Sequence, residues 1–470
     1  MTSTVERAAR VRFRRAMSLM VMTLVVPGSA QLMAGNRRVG RIALRVWLGV
    51  MGLTVLLLLA ALVDRGLVFG MVTNTTLLLF LRLGLMAGAI GWAALLMDAW
   101  RLGQPLSLGL AHRRAVVGFN GVLCFGVASV LLFGAHLVGV QRDFIITMFG
   151  DGEATSAHDG RYNVLLLGGD SGAGRWGLRP DSMTIASIDA DTGRTVLIGL
   201  PRNMADFPFR EGSVMAEQFP DGFDCEGCYL NGVSTWAGDN TELFKGSDNP
   251  GVDATIMAIE GITDLTINYW AMVNLQGFKD LVDAVGGVTL NVRQPIPVGG
   301  LGSDVTGYIE PGVRTLDGHD TLWYARAREG SDDYSRMARQ KCVMNAMLEQ
   351  ISPQSAVKNF ESIAEASSEM ISTNLPASEL DTFMSLALKA RSEKIASLSL
   401  VPPMINTGDP DIDLVHRKVA EAIDRAEGNA PAPAKGGKKQ KSPDSVTGGS
   451  VGSLSEGYAA NDAEDLGAAC

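Results

Sequence analysis

Asn163-Val-Leu-Leu-Leu-Gly-Gly-Asp170 is the stretch on which the reading of this chain turns. Its unbroken apolar run ends at glycines, which predicts a strand buried on both faces within a central sheet. Outward from it, Met183-Thr-Ile-Ala-Ser-Ile188 and Thr195-Val-Leu-Ile-Gly-Leu200 read as two more strands, with Asp191-Thr192-Gly193 as a hairpin-like turn between them. The spacing predicts helices over 253–261 and 275–285, the second stopped by Gly286-Gly287. Val288-Thr-Leu-Asn-Val292 alternates as a strand, 321–328 is a further strand candidate, and 334–350 reads as a helix. Residues 363–425 read as mainly helical, with one strand near 395–401. This alternation argues for one α/β domain over 161–428, a mixed central sheet flanked by helices. Its length is enough to bury a full core.

The chain has 470 residues and is 47% hydrophobic, an excess concentrated before residue 141. Stretches 42–63, 77–97 and 115–140 each reach the roughly 20 apolar residues that cross a bilayer. A shorter stretch, 17–33, contains Pro27-Gly28-Ser29 and has arginines on both sides: Arg7, Arg10, Arg12, Arg14 and Arg15 before it, Arg37, Arg38 and Arg41 after it. Positive charge marks cytoplasmic flanks, so 17–33 is expected to be re-entrant or interfacial. Three spans then deliver everything beyond about residue 141 to the outside, whereas four crossings would leave it cytoplasmic. A cleavable signal peptide fits poorly, because the later spans would still anchor the chain. The expected organisation is an α-helical membrane region over 1–141, a linker over 142–160, the sheet domain over 161–428, and a disordered tail over 429–470. In that tail Pro, Ala, Gly, Lys and Ser dominate, and it reads as a solvated segment whose lysines face water or an anionic surface.

A net charge of −9 excludes nucleic-acid binding by overall charge. The basic residues that matter are local. Arg179, Arg202, Arg326, Arg328, Arg336 and Arg339 fall near element ends, with Asp170, Asp181 and Asp333 among them. Guanidinium groups match phosphate oxygens two at a time, so the cluster predicts a polyanion site, with pyrophosphate the obvious ligand. Asp170 and Asp181 suit a hard cation on the same phosphates. Arg326 and Arg328 share a face if they lie on a strand, and Arg336, Arg339 and Gln340 share one on a helix. Asp333 caps that helix or positions an arginine. His319, a candidate base, reads as incidental. Cys225-Glu-Gly-Cys228 is either a redox or zinc pair or, by preference, a structural disulfide. Cys342 is a further candidate to bridge to Cys225 or Cys228, and the pairing stays open.

Read in order, Asn163 through Asp170, Arg179-Pro-Asp181-Ser-Met, Gly199-Leu-Pro-Arg202-Asn, Tyr229-Leu-Asn231, Asp283-Ala-Val-Gly-Gly-Val288, Leu316-Asp-Gly318, Tyr324-Ala-Arg326-Ala-Arg328, and Asp333 through Gln340 resemble the LytR-CpsA-Psr family of envelope phosphotransferases. The likeness covers about 162–426 and extends to the basic N-terminus and membrane spans of some actinobacterial members. It implies an extracytoplasmic catalytic domain on a multi-pass membrane protein. The implied reaction moves a glycopolymer from a polyprenyl-pyrophosphate carrier to a peptidoglycan or glycoprotein acceptor hydroxyl and releases polyprenyl phosphate. By the same resemblance Arg179, Arg202, Arg326, Arg328, Arg336 and Gln340 bind the pyrophosphate, while Asp170 and Asp181 hold Mg2+, with Mn2+ as its substitute. A hydrophobic groove should take the lipid tail. Arg202, Arg326, Arg328, Arg336 and Asp181 carry the catalysis on this view. Where many members have Asp and a second Gln, this chain has Asn203, which can hydrogen-bond but offers no acid, and Lys341, to which nothing carries over. A polyprenyl-phosphate-binding sensor without catalysis, and a polyprenyl-pyrophosphate hydrolase, are the competing readings.

Overall fold

The computed structural model describes residues 4–35, 37–63, 71, 74–149, 154–169, 179–300, 302, 304–329, 331–350, 371–429 and 459–470. They form two compact units, Met1–Ile146 and Thr147–Cys470.

The first unit is helical: α1 (Thr4–Val25), α2 (Ser29–Ala34), α3 (Arg37–Val63), α4 (Thr75–Leu102) and α5 (Leu110–Met148). Three helical stretches, Arg37–Ala60, Thr75–Ser107 and Leu110–Ile146, are long and apolar enough to cross a membrane. Their outward side chains suit such a solvent, with Phe80, Ile90, Phe125 and Phe133 all exposed. The 17–33 stretch is broken between α1 and α2, where Gly28 adopts φ 91°. A Cβ there would meet the Gly40 carbonyl oxygen at 2.6 Å, so only glycine allows the turn to pack against α3. The apolar half of α1 and the six-residue α2 reach about 14 Å and 9 Å at 1.5 Å per residue, well short of a bilayer core of about 30 Å. Trp92 Nε1 donates to the Thr23 carbonyl (3.1 Å) and Gln31 Nε2 to that of Leu95 (2.9 Å), which ties this broken segment to α4.

In the second unit the strands are β1 (Arg161–Gly169), β2 (Pro180–Asp189), β3 (Thr195–Leu200), β4 (Tyr269–Asn274), β5 (Val288–Val292), β6 (Ile296–Gly299), β7 (Val305–Ile309), β8 (Gly312–Leu316), β9 (Ile371–Thr373), β10 (Ala396–Ser399) and β11 (Asp462–Ala463). The helices are α6 (Val214–Gln218), α7 (Val233–Asp239), α8 (Pro250–Thr263), α9 (Leu275–Ala284), α10 (Gly318–Arg326), α11 (Asp333–Gln350), α12 (Leu380–Ala390), α13 (Ile412–Glu427) and α14 (Leu466–Ala469). The central sheet runs β11-β10-β3-β2-β1-β4-β9. It is mixed, as expected: β1/β4 and β3/β10 pair in parallel and the other neighbours antiparallel. Leu165, Leu167, Ile185, Ile198 and Leu398 pack one face against Ile259 of α8 and Val415 of α13. Ala186 and Leu197 on the other face meet Ala338 and Cys342 of α11 and Leu466 of α14.

Several expectations are corrected. β1 is not buried on both faces: Leu165 and Leu167 are, while Val164, Leu166 and Gly168 stay partly open, because Leu166 and Gly168 floor a groove. Residues 318–326 form a helix, not a strand, since the Asp317 carboxylate caps it by accepting from the Asp320 amide. The linker is shorter than 142–160: α5 continues to Met148, and Asn268 Nδ2 already holds the Ser156 carbonyl. The tail does not stay apart from the domain, because 459–470 packs into it with Ala460, Leu466 and Ala469 buried. Residues 430–458 and 363–370 lie outside the described residues. Cys225 pairs with Cys228, and Cys342 pairs with Cys470, not with either of them.

Under β10 the fully buried Lys341 amine donates to Ser399 Oγ (2.6 Å), which donates to Asn461 Oδ1 (2.8 Å). Asn461 Nδ2 donates in turn to the Tyr334 carbonyl (2.9 Å). Burial pushes the Lys341 pKa down to about 7, opposed by Asp462. An unfolded lysine titrates near 10.4, so unfolding takes up a proton between about pH 7 and pH 10. The destabilisation is absent above that window, grows as pH falls through it, and is complete below about pH 7. Lys341→Met is therefore expected to stabilise the protein at pH 7 by on the order of 1–4 kcal/mol, with the gain shrinking towards pH 10. Thermal unfolding of the full chain in detergent at the two pH values checks this, and a gain that grew with pH would contradict it.

Candidate active site

The open ends of β1 and β3 and the start of β2 meet at one rim of the central sheet, because β2 runs antiparallel to both neighbours. Ligands in open α/β sheets bind at such strand ends. Arg202 follows β3 in a turn held by hydrogen bonds from the Met204 amide to the Pro201 carbonyl (3.1 Å) and from the Asn231 amide to the Arg202 carbonyl (3.0 Å). This gives Tyr229-Leu-Asn231 a concrete task, the fixing of the Arg202 backbone. Arg202 Nη1 donates to Asp181 Oδ1 at 2.6 Å.

The helix α11 supplies the next layer. Asp332, not Asp333, caps it, accepting from the Ser335 amide at 2.8 Å. Asp333 is thereby released to face the arginines: Arg336 Nη2 at 3.1 Å, Arg202 Nε at 3.6 Å and Arg328 Nη1 at 3.6 Å. Arg336 also donates to the Asp181 carbonyl at 2.9 Å. Its burial pushes the guanidinium pKa down, and Asp333 and Asp181 push it back up, so the group stays cationic. Gln340 donates to the Ala325 carbonyl (3.1 Å) and accepts from Ser182 Oγ (3.0 Å), which joins α11 to both α10 and β2.

Arg202, Arg328, Arg336 and Asp181 thus converge as the sequence analysis anticipated, and Gln340 stands beside them. Arg326 ends α10 and lies over the Trp323 ring, 5.2 Å from its centroid. Arg179 is exposed two residues before Asp181. Asp170 lies outside the described residues, although β1 ends immediately before it with Gly169 opposite Pro180. Arg339 is structural: only 1% exposed, it donates to the carbonyls of Tyr324 (2.6 Å) and Ala327 and clamps the end of α10 to α11. Asn203 is exposed, and His319 pairs with Asp320 at the start of α10. Ser182 was not foreseen as a site feature, and Asp333, expected either to cap the helix or to position an arginine, faces three arginines while Asp332 takes the cap.

From this charged rim an apolar groove of about 290 Å3 runs under α9, α10 and α11. Leu166 and Ala271 floor it, and Phe278, Leu281, Val343 and Met347 wall it. Asp181, Arg326, Arg328, Arg336 and Gln340 line its polar end. The volume is at the low end for ligand pockets, so a long chain would seat one end there and leave the rest outside. An apolar slot opening onto convergent guanidiniums suits an amphipathic anion.

A model of the LytR_cpsA_psr family matches residues 148–415. Biofilm regulatory protein A of Streptococcus mutans is 26% identical over 267 residues, which is 55% of this chain and 61% of that protein. The polyisoprenyl-teichoic acid–peptidoglycan teichoic acid transferase TagU of Oceanobacillus iheyensis is 28% identical over 233 residues, 49% of this chain and 64% of that one. The chain thus spans about three fifths of the length of these curated relatives. The crystal structure of Bacillus subtilis TagV aligns with a TM-score of 0.41 at 23% identity, covering 58% of this chain and all (100%) of that one.

Proposed function

The chain belongs to the LytR_cpsA_psr family, and from that premise we propose that it moves a glycopolymer from a polyprenyl-pyrophosphate carrier to a cell-wall acceptor hydroxyl. The observation that carries this reading is the continuity of the apolar groove with the Asp181, Arg328 and Arg336 rim. A prenyl tail and a pyrophosphate are the two halves of one lipid carrier. The relatives named as teichoic acid transferases support the same substrate class and a peptidoglycan acceptor.

In the proposed reaction the acceptor oxygen attacks the glycan-proximal phosphorus. A new P–O bond forms, the bond to the bridging oxygen breaks, and polyprenyl phosphate leaves with that oxygen. The hydroxyl proton passes to a rim carboxylate, for which Asp181 is the candidate. Arg202, Arg328 and Arg336 hold the phosphate oxygens and offset the charge on the departing phosphate, which is most of what phosphoryl transfer asks of a protein. Gln340 orients a further oxygen. Asp181 offers hard oxygen donors at the rim, 40% exposed at its side chain, and Asp170, the next residue in the sequence after β1, is the second carboxylate of the proposed set. These donors fit Mg2+, which would neutralise phosphate charge when bound. Two disulfides in the sheet unit support an extracytoplasmic location, and the arginines flanking 17–33 support the matching three-span topology.

The test uses the purified full chain, a lipid-linked glycan and peptidoglycan. Expected is Mg2+-dependent release of polyprenyl phosphate that accelerates with acceptor and stops with chelator. Equal release without acceptor would make the protein a hydrolase, and binding without turnover would make it a sensor.

A further inference from the structure

We propose that Asp333 is a positioning residue that gathers Arg202, Arg328 and Arg336 into one phosphate-binding constellation. The inference rests on the transferase reading for its substrate, and on geometry for everything else. Three guanidinium groups come from three elements: the turn after β3, the segment after α10, and α11. Like charges brought this close repel one another unless a counter-charge stands among them. Asp333 is that counter-charge. Its Oδ2 lies 3.1 Å from Arg336 Nη2, and its Oδ1 lies 3.6 Å from both Arg202 Nε and Arg328 Nη1.

The three contacts are unequal in consequence. Arg202 also holds Asp181 Oδ1 at 2.6 Å, and Arg336 also holds the Asp181 carbonyl at 2.9 Å. Arg328 stands after the end of α10, where the side chain is one third exposed and Asp333 is its ion-pair partner among the described residues. Arg328 therefore depends on Asp333 most. The side chain of Asp333 is itself only 19% exposed, so its contacts are weakly screened. At 3.6 Å, Oδ1 is beyond hydrogen-bond range of both arginines. Those donors remain available to phosphate oxygens while the carboxylate keeps them aimed.

This role makes a prediction of unusual sign. Asp333→Asn removes a negative charge from an anion site, which on charge alone should tighten anion binding. Positioning demands the reverse. Titration of the full chain with inorganic pyrophosphate is expected to show at least threefold weaker binding in Asp333→Asn, with most of it restored in Asp333→Glu. In an Arg328→Ala background, Asp333→Asn is expected to add less weakening than it causes in the wild type, because only its contacts to Arg202 and Arg336 remain to be lost. Turnover with lipid-linked glycan is expected to fall at least tenfold, with an unchanged shape of the pH–rate profile. Unchanged or tighter pyrophosphate binding, equal weakening in the Arg328→Ala background, or loss of a pH-profile limb would overturn the proposal, the last by making Asp333 a base. An equal loss in Asp333→Glu with a lowered melting temperature would also overturn it, in favour of a merely structural role. If the wild type binds pyrophosphate but transfers nothing, the transferase reading fails while the binding comparisons still decide the role of Asp333.

Discussion

Arg202→Ala in the full chain is expected to lower the transfer rate by about 10²–10³-fold, which is the loss seen when one preorganised donor to a developing oxyanion is removed. The protein should stay folded and membrane-bound. The Arg202 side chain is a quarter exposed and its ion pairs are with Asp181 and Asp333, both at the rim. The backbone of its turn is held by the Asn231 and Met204 amides, which the substitution leaves in place. The loss should therefore fall on chemistry, with no more than about 1 kcal/mol lost from stability, as for other partly exposed ion pairs. Arg339→Ala makes the contrast. That side chain is buried and ties α11 to the carbonyls of Tyr324 and Ala327. Its loss should lower stability first and activity in consequence. Turnover and thermal unfolding measured on the same preparations separate the two, and full activity in Arg202→Ala would remove the arginine from the proposed site.

Cys470→Ser is expected to produce the largest loss of stability. The Cys342–Cys470 bridge spans 128 positions, so in the chain-entropy account it constrains the unfolded state by about 5 kcal/mol, against about 2 kcal/mol for the short Cys225–Cys228 loop. Native disulfides deliver about 2–5 kcal/mol in practice, which lowers the melting temperature by roughly 3–8 °C at this domain size. The bridge also anchors the segment that buries Ala460, Leu466 and Ala469 against α11. Because α11 carries Arg336 and Gln340, activity at elevated temperature should fall with the bridge. Differential scanning calorimetry of Cys470→Ser and Cys225→Ser decides the ranking. A larger drop for Cys225→Ser would show that the short loop carries more than its entropy.

The parts of this architecture that were legible in the sequence are those where one local signal governs. The strands over 183–188 and 195–200 alternate with clear turn chemistry, and the α11 arginines recur at helical spacing. The apolar run in β1 marked a strand, but an unbroken run cannot tell two packed faces from one packed face and one lining a groove. Helix α10 was hidden because Arg326 and Arg328 stand two apart, a strand-like spacing, while the deciding cap at Asp317 lies nine residues upstream. Spacing alone also placed Arg339 with the rim arginines, since only the fold brings the Tyr324 and Ala327 carbonyls to it. The C-terminal segment was lost within a Pro-, Gly- and Lys-rich neighbourhood. Its few small apolar residues become significant only once Cys470 is seen beside Cys342.

The most direct test of the central claim follows the phosphorus. The full chain is supplied with Mg2+, peptidoglycan and a polyprenyl-pyrophosphate-linked glycan labelled in the glycan-proximal phosphate. Transfer at the arginine rim predicts that the label moves with the glycan onto peptidoglycan while unlabelled polyprenyl monophosphate is released. Label that stays with the lipid, or that appears only on free glycan phosphate whether or not acceptor is present, would contradict it.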